Sequence, residues 1–308
     1  VRTAVIHIML ALLCVQALWL TGCDEKPGPS PADRAVVKRT IRIGLVPEVD
    51  IFAQKKRYEL ITGYLEEELG INIELKAFAH YGELVAGFAT EGLDGAFFGC
   101  FTGALAMKKL GVSLLARPEG KDGASTSQGV LFARREARLR TAADLRGKRF
   151  AFVDRATTAG WLLPLHFFQE LGIADYGQWF SETYFAGTHE DAIHDVLNGA
   201  ADLGVAKGSI FEELAGREAR VAEELEILAT SIAVPENALA VRTGLAAEFV
   251  AELKQALLGM DRGAKGREIL ERFGAVRFVE ARPEDYEAVI GYAAQVGQGL
   301  DGTPEGGE

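Results

Sequence analysis

The run RFAFVD (149–154) has the apolar character of a buried strand. It is followed by Arg155-Ala156-Thr157-Thr158-Ala159-Gly160 and then by a helical stretch. A strand that ends in a short turn of hydroxyl and glycine residues before a helix is a ready anion cradle. The first N–H groups of a helix lack intrahelical partners, and the helix dipole places positive potential there. The hydroxyls of Thr157 and Thr158 add two donors, and Gly160 lets the backbone approach closely. The same residues also suit an ordinary threonine N-cap with no ligand, so the motif alone leaves both readings open.

Other motif-like strings carry less. Gly297-Gln298-Gly299-Leu300-Asp301-Gly302 fits G-x-G-x-x-G but follows a helix and precedes only a tail, so the strand–turn–helix context is missing. In HEDAIH, His189 and His194 are five residues apart, about 140° around a helix, so one zinc ion cannot be gripped by both. There is no P-loop, no C-x-x-C and no G-x-S-x-G, and the chain has only 5 histidines. No catalytic residue, metal or cofactor is therefore expected.

The elements that would hold the cradle alternate in type. Strands are expected at 39–47, 71–78, 95–99, 129–134, 149–153, 180–185, 201–206, 226–230 and 237–242. Helices are expected at 55–69, 81–90, 104–110, 160–170, 189–198, 245–258, 265–272 and 283–296. This order implies mainly parallel sheets with helices on both faces. The rhythm restarts near Arg149, which suggests two similar lobes, and 308 residues suffice for about two domains. Lys and Arg number 33 against 44 Asp and Glu, a net charge of −11 with no long basic run, which argues against nucleic acid as a partner.

Residues 4–20 are nearly all apolar and follow Arg2, as in a secretory signal. They end in Leu20-Thr21-Gly22-Cys23, which resembles a bacterial lipobox. The expectation is a signal peptide over 1–22, a lipid on Cys23 and a proline-rich tether over 23–39. A lone transmembrane anchor is the other reading, although about 17 apolar residues is at the short limit for spanning. Asp24 resembles an inner-membrane retention signal and points to the periplasmic side of that membrane. Of Cys14, Cys23 and Cys100, only Cys100 falls in the globular part, so no internal disulfide is possible there without Cys23.

Four segments resemble the phosphate/phosphite/phosphonate-binding proteins of ABC importers: 43–70, 95–106, 145–173 and 184–214, the last followed by VPENALAVR (234–242). The resemblance implies an α/β, two-lobed periplasmic-binding-protein fold of type II-like form. Lobe one would comprise 40–132 plus 238–296 and lobe two 133–237, with a flexible tail over 297–308. The implied function is a substrate-binding lipoprotein that captures a small phosphorus oxyanion for an ABC permease. The alternative is a receptor of the same fold that reports to a membrane sensor kinase.

The same resemblance implies the ligand-binding residues. Lobe two would supply Thr157, Thr158, Ala159, Gly160 and His189, the last in a glycine–small–histidine–acid pattern at a helix start. By itself His189 would equally suit a surface helix. Lobe one would supply Phe98, Phe52 and Thr102. Phe97 and Phe98 are adjacent in a strand, so at most one can line the cleft, and both suit a plain core. Family members carry Ser-Thr-Ser-Gly at 157–160, so Ala159 lacks one hydroxyl. Asn237 stands where many phosphonate binders have aspartate, and the glutamate that the family's aminophosphonate members often carry around Lys207 and Ser209 has no counterpart at those positions. Both departures argue against an aminoalkylphosphonate. Lys207 would favour a more anionic ligand if it points into the cleft, and would otherwise be a solvated lysine after a strand. Cys100 reads as a small buried apolar residue.

Overall fold

The structure is a computed structural model that describes residues 38–300. The signal, Cys23, most of the tether and the end of the tail lie outside the described residues. Strand β1 (Thr40–Leu45) buries Ile41 and Ile43 and leads to helix α1 (Ile51–Leu69). The Asp50 carboxylate caps α1 by accepting the N–H groups of Phe52 (3.1 Å) and Ala53 (2.9 Å), and Gly70 ends it at φ 63°, where a glycine is favoured. Then come β2 (Asn72–Ala77), α2 (Tyr81–Thr90), β3 (Gly95–Phe98), α3 (Cys100–Leu110) and β4 (Ser113–Glu119). A two-residue strand, β5 (Thr126–Ser127), precedes β6 (Gly129–Arg134) and β7 (Arg149–Phe152). After the turn at Thr158–Leu162 follow α4 (Leu163–Glu170), β8 (Glu182–Phe185), α5 (His189–Leu197), β9 (Leu203–Lys207) and α6 (Gly208–Arg217). The remaining elements that matter here are β10 (Leu225–Thr230), β11 (Val234–Pro235), β12 (Ala238–Val241), α7 (Ala247–Leu258), α8 (Ala264–Phe273), β13 (Arg277–Glu280) and α9 (Glu287–Gln295).

The strands form two main sheets, one per lobe. The first has the order β13-β4-β12-β3-β1-β2, and the second β10-β6-β9-β7-β8. The sheets are mixed, which corrects the expectation of mainly parallel ones. In the first, β1 pairs in parallel with β2 and β3, whereas β12 runs antiparallel to β3 and β4, and β13 antiparallel to β4. In the second, β7 is parallel to β8 and β9, but β6 is antiparallel to β9 and β10. The reason is connectivity: β12 enters the first sheet from the other lobe, without the crossover helix that a parallel neighbour requires.

The chain crosses between sheets twice, and the crossings pair with each other as the antiparallel ribbon β5–β11. All of β6 pairs within the second sheet, so a lobe boundary between 132 and 133 would divide a strand. The change of sheet falls before Gly129. One apolar cluster, including Ile43, Ile61, Leu65, Leu253 and Leu270, packs the first sheet under α1, α7 and α8. Another runs from Phe98 and Leu105 to Phe150, Trp161 and Val205, so apolar contact continues from one lobe into the other.

Candidate ligand-binding site

In sheets with parallel strands, ligands gather beyond the strands' carboxyl ends, because helix starts and loops converge there. The same arrangement occurs here in both lobes. Glu48 follows β1, Tyr81 follows β2, Thr102 follows β3, Thr158 follows β7, His189 follows β8 and Lys207 closes β9. Each of these residues lines one small cavity of about 40 Å³, and Asn237, at the return crossing, completes it.

The cradle is built from a π-helical turn over Thr158–Leu162, in which the Leu162 N–H reaches the Thr157 carbonyl (3.4 Å). This widened turn starts two residues earlier than the helix expected from Gly160, and such turns concentrate at functional sites. The Thr157 hydroxyl donates to the Asp154 carbonyl at 2.6 Å, and the Thr102 hydroxyl donates to the Ala156 carbonyl at 3.3 Å. Thr158 differs: its oxygen accepts the Phe101 N–H at 3.2 Å, which leaves its own O–H to donate. Asp154 itself is buried and accepts the Ala156 N–H at 2.8 Å, and burial pushes its carboxyl pKa up.

His189 is buried at the first position of α5, with Thr188 as N-cap. Its backbone N–H donates to the Glu48 carbonyl at 3.0 Å, joining the lobes. Its Nδ1 accepts the Lys207 N–H at 3.3 Å, so the ring proton sits on Nε2, which is a donor. Burial, followed by the nearby Lys207 charge, pulls the imidazole pKa down to about 3, so the ring stays neutral.

Lys207 does point into the cleft. Its ammonium lies 2.6 Å from Glu236 Oε2, 3.0 Å from Glu48 Oε1 and 3.2 Å from Asn237 Oδ1. Burial lowers its pKa, but Glu236 and Glu48 outweigh that, so it is held above the ordinary lysine value. One cation against two carboxylates adds no net positive charge, which corrects the expectation that Lys207 would favour a more anionic ligand. Turned toward Lys207, Asn237 leaves its Nδ2 buried without a hydrogen bond among the described residues, and the Tyr81 hydroxyl is in the same state. Burial raises the Tyr81 pKa, so its hydroxyl stays protonated, and the Tyr58 hydroxyl beside Asn237 is raised to about 12, by burial first and then by Glu48.

A family model described as "ABC transporter, phosphonate, periplasmic substrate-binding protein" matches residues 43–286. The chain belongs to this family. The probable ABC transporter phosphite binding protein PhnD1 of Prochlorococcus marinus (strain MIT 9301) is 24% identical over 264 residues, 82% of this chain and 88% of that protein. The phosphate-import protein PhnD of Mycolicibacterium smegmatis is 26% identical over 215 residues, 67% of this chain and 66% of that protein. The structure of the Prochlorococcus PhnD1 in complex with methylphosphonate superposes with a TM-score of 0.76 at 22% identity, covering 84% of this chain and 99% of that one. A binding protein component of an ABC phosphonate transporter from Pseudomonas aeruginosa superposes at 0.78 with 17% identity, covering 84% and 87%. At these identities the superpositions establish the two-lobed fold.

Within this phosphonate-binding-family fold, Thr157, Thr158, Ala159, His189, Thr102 and Asn237 come together on the cavity wall. Three expected residues do not. Phe52 stands 80% exposed on the first turn of α1, which the Asp50 cap turns outward. Phe98 is fully buried and stacks on Phe88 with ring centroids 5.5 Å apart, while Phe97 packs against Tyr58 on the opposite side at 4.6 Å. The alternation of β3 holds, but helices cover both of its faces, so neither phenylalanine reaches the cleft. Gly160 serves packing instead: a Cβ there would meet Val153 Cβ at 2.3 Å and Thr157 Oγ1 at 2.5 Å. Tyr81, Glu48 and Glu236 were missed. For Tyr81 and Glu48 the available signal was position, just beyond the carboxyl end of a strand.

Proposed function

We propose that the chain captures a small phosphorus oxyanion, such as phosphite, phosphate or a short phosphonate, between its lobes and presents it to an ABC permease. The observation that carries this reading is the convergence of neutral donors on one small cavity. The O–H of Thr158, the Nε2–H of His189, the Asn237 amide and the Tyr81 hydroxyl meet beside a helix start. Several donors of this kind match an oxyanion's several acceptor oxygens, and the helix start adds positive potential. The names of the relatives point the same way, toward phosphite, phosphate and methylphosphonate. A ligand that touches both lobes favours the closed arrangement, in which Thr158–Phe101, Thr102–Ala156 and His189–Glu48 bonds join them.

Ionisation supports binding over catalysis. Burial pushes the Cys100 thiol far up, so it is no thiolate nucleophile, and a His189 with a pKa of about 3 is too weak a general base at neutral pH. The sheets support a first lobe of 40–128 plus 238–296 and a second of 129–237. The lipobox-like Leu20-Thr21-Gly22-Cys23 supports a lipid on Cys23 that holds the protein at the periplasmic face of the inner membrane. No helix among the described residues is long and apolar enough to cross a membrane. Loss of membrane-associated, lipid-labelled protein in Cys23→Ala is the expected result, and retained labelling overturns the anchor.

Calorimetric titration with phosphite, phosphate, methylphosphonate, sulfate and taurine tests the ligand class. Saturable binding of at least one phosphorus anion, tighter than either sulfur anion, is expected. Tight binding of sulfate or taurine with none of the phosphorus anions overturns it.

A further inference from the structure

The donors that converge on the small cavity are neutral: the Thr158 and Tyr81 hydroxyls, the His189 Nε2–H and the Asn237 amide. Among the described residues, Lys207 is the one ammonium that lines it. An ammonium has three N–H donors, and Glu236, Glu48 and Asn237 already surround this one at 2.6, 3.0 and 3.2 Å. No donor remains for a ligand oxygen, and the two carboxylates leave the cluster with a net negative charge. The guanidiniums nearby are engaged elsewhere. Arg57 donates to the Phe273 carbonyl at 2.8 Å and lies 3.5 Å from Glu213, and Arg117 pairs with Asp285. Arg155 stacks over Trp161 and Phe185, and neither it nor the exposed His80 lines the cavity. Beside Tyr81, Asp154 adds a further carboxylate.

We propose that the site selects the monoanion of its phosphorus ligand, the form that still carries a P–OH proton the dianion has lost, and that the Glu48 carboxylate accepts the hydrogen bond from this P–OH. This rests on the phosphorus-oxyanion reading of the small cavity. A dianion would set its second charge against Glu48 and Glu236 with no cationic donor to meet it, and a buried site screens such repulsion poorly. Like charges disfavour ionisation, so the cluster raises the second ionisation of a bound ligand as one carboxylate raises another's. The retained P–OH then needs an acceptor. Of the two carboxylates around Lys207, Glu48 lines the small cavity, whereas Glu236 lines only the larger one beside it. Glu48 meets Lys207 through Oε1, and a carboxylate has a second oxygen that can accept. Burial pulls His189 down to about 3, pushes Tyr81 and Cys100 up and Tyr58 up to about 12, and Lys207 is held above the ordinary lysine value. None of these groups titrates near neutrality, so a pH response that follows the ligand's own ionisation identifies the bound form.

Calorimetry on the intact chain tests this with methylphosphonate and with phosphite, from about pH 6 to about pH 9, in buffers of different ionisation enthalpy. Affinity should fall by roughly tenfold per pH unit above each ligand's second ionisation, with uptake of about one proton per ligand bound. The fall should begin at lower pH for phosphite, the stronger acid. Glu48→Gln keeps the Lys207–Glu236 pair, so no buried ammonium is stranded. It removes the carboxylate that lines the cavity, and both the slope and the proton uptake should shrink. Affinity that stays flat or rises through the ligand's ionisation, binding without proton uptake, or a fall at the same pH for both ligands overturns the selection while the binding itself keeps the function intact. Unchanged proton uptake in Glu48→Gln overturns the role of Glu48. A wild type that binds no phosphorus anion overturns both the selection and the function.

Discussion

Thr158 and Phe101 belong to different lobes, yet the Thr158 hydroxyl oxygen accepts the Phe101 backbone N–H at 3.2 Å. The bond ties the start of α3 to the π-helical turn. It uses a lone pair of Thr158 and leaves the O–H to donate, so one side chain links the lobes and lines the cavity. In Thr158→Val both roles are lost. Methylphosphonate affinity should fall by roughly tenfold to a hundredfold, as for one charge-assisted hydrogen bond, while Thr158→Ser should retain most of it. Calorimetry reads both. Unchanged affinity in Thr158→Val/His189→Ala would remove the site assignment itself.

His189 should set a pH dependence of stability. Its folded pKa of about 3 lies below its ordinary value of 6.5, so the native state binds fewer protons than the unfolded chain. The contribution is fully present above about pH 6.5 and is lost as pH falls toward 3. Urea midpoints should therefore drop between pH 6.5 and 4 in the wild type. His189→Gln, which cannot titrate, should show a shallower drop, and parallel curves would contradict the buried neutral imidazole.

Gly160→Ala should destabilise the second lobe. The added methyl group would overlap Val153 and Thr157, and overpacking of this kind costs about 1–3 kcal/mol. Chemical denaturation measures it, and a stability equal to wild type would mean that the turn relaxes freely.

The two displaced phenylalanines separate by stability. Phe52→Ser changes an exposed side chain and should shift unfolding by no more than about 0.5 kcal/mol. Phe98→Ala opens a void in the core beside Phe88 and should cost about 3–5 kcal/mol. Similar losses in both would show that Phe52 is packed.

The strand–turn–helix at 149–170, the helix start at His189 and the alternation of α and β elements are local features, and the residues alone were enough to read them. Hydroxyls after a strand and an apolar period of a helix depend on neighbours a few positions away. Strands β4 and β13 escaped that reading because Arg117, Pro118 and Arg277 interrupt their apolar runs, and only pairing across the sheet makes them strands. The phenylalanines at 52 and 98 escaped it for a related reason: which face of an element is covered depends on what packs there. Lys207 shows the division most clearly. Along the chain it looks like a solvated lysine after a strand, yet folding brings Glu48, 159 positions away, and Glu236 onto its ammonium. A buried charge is defined by its partners and its distance from water, and both are properties of the folded chain.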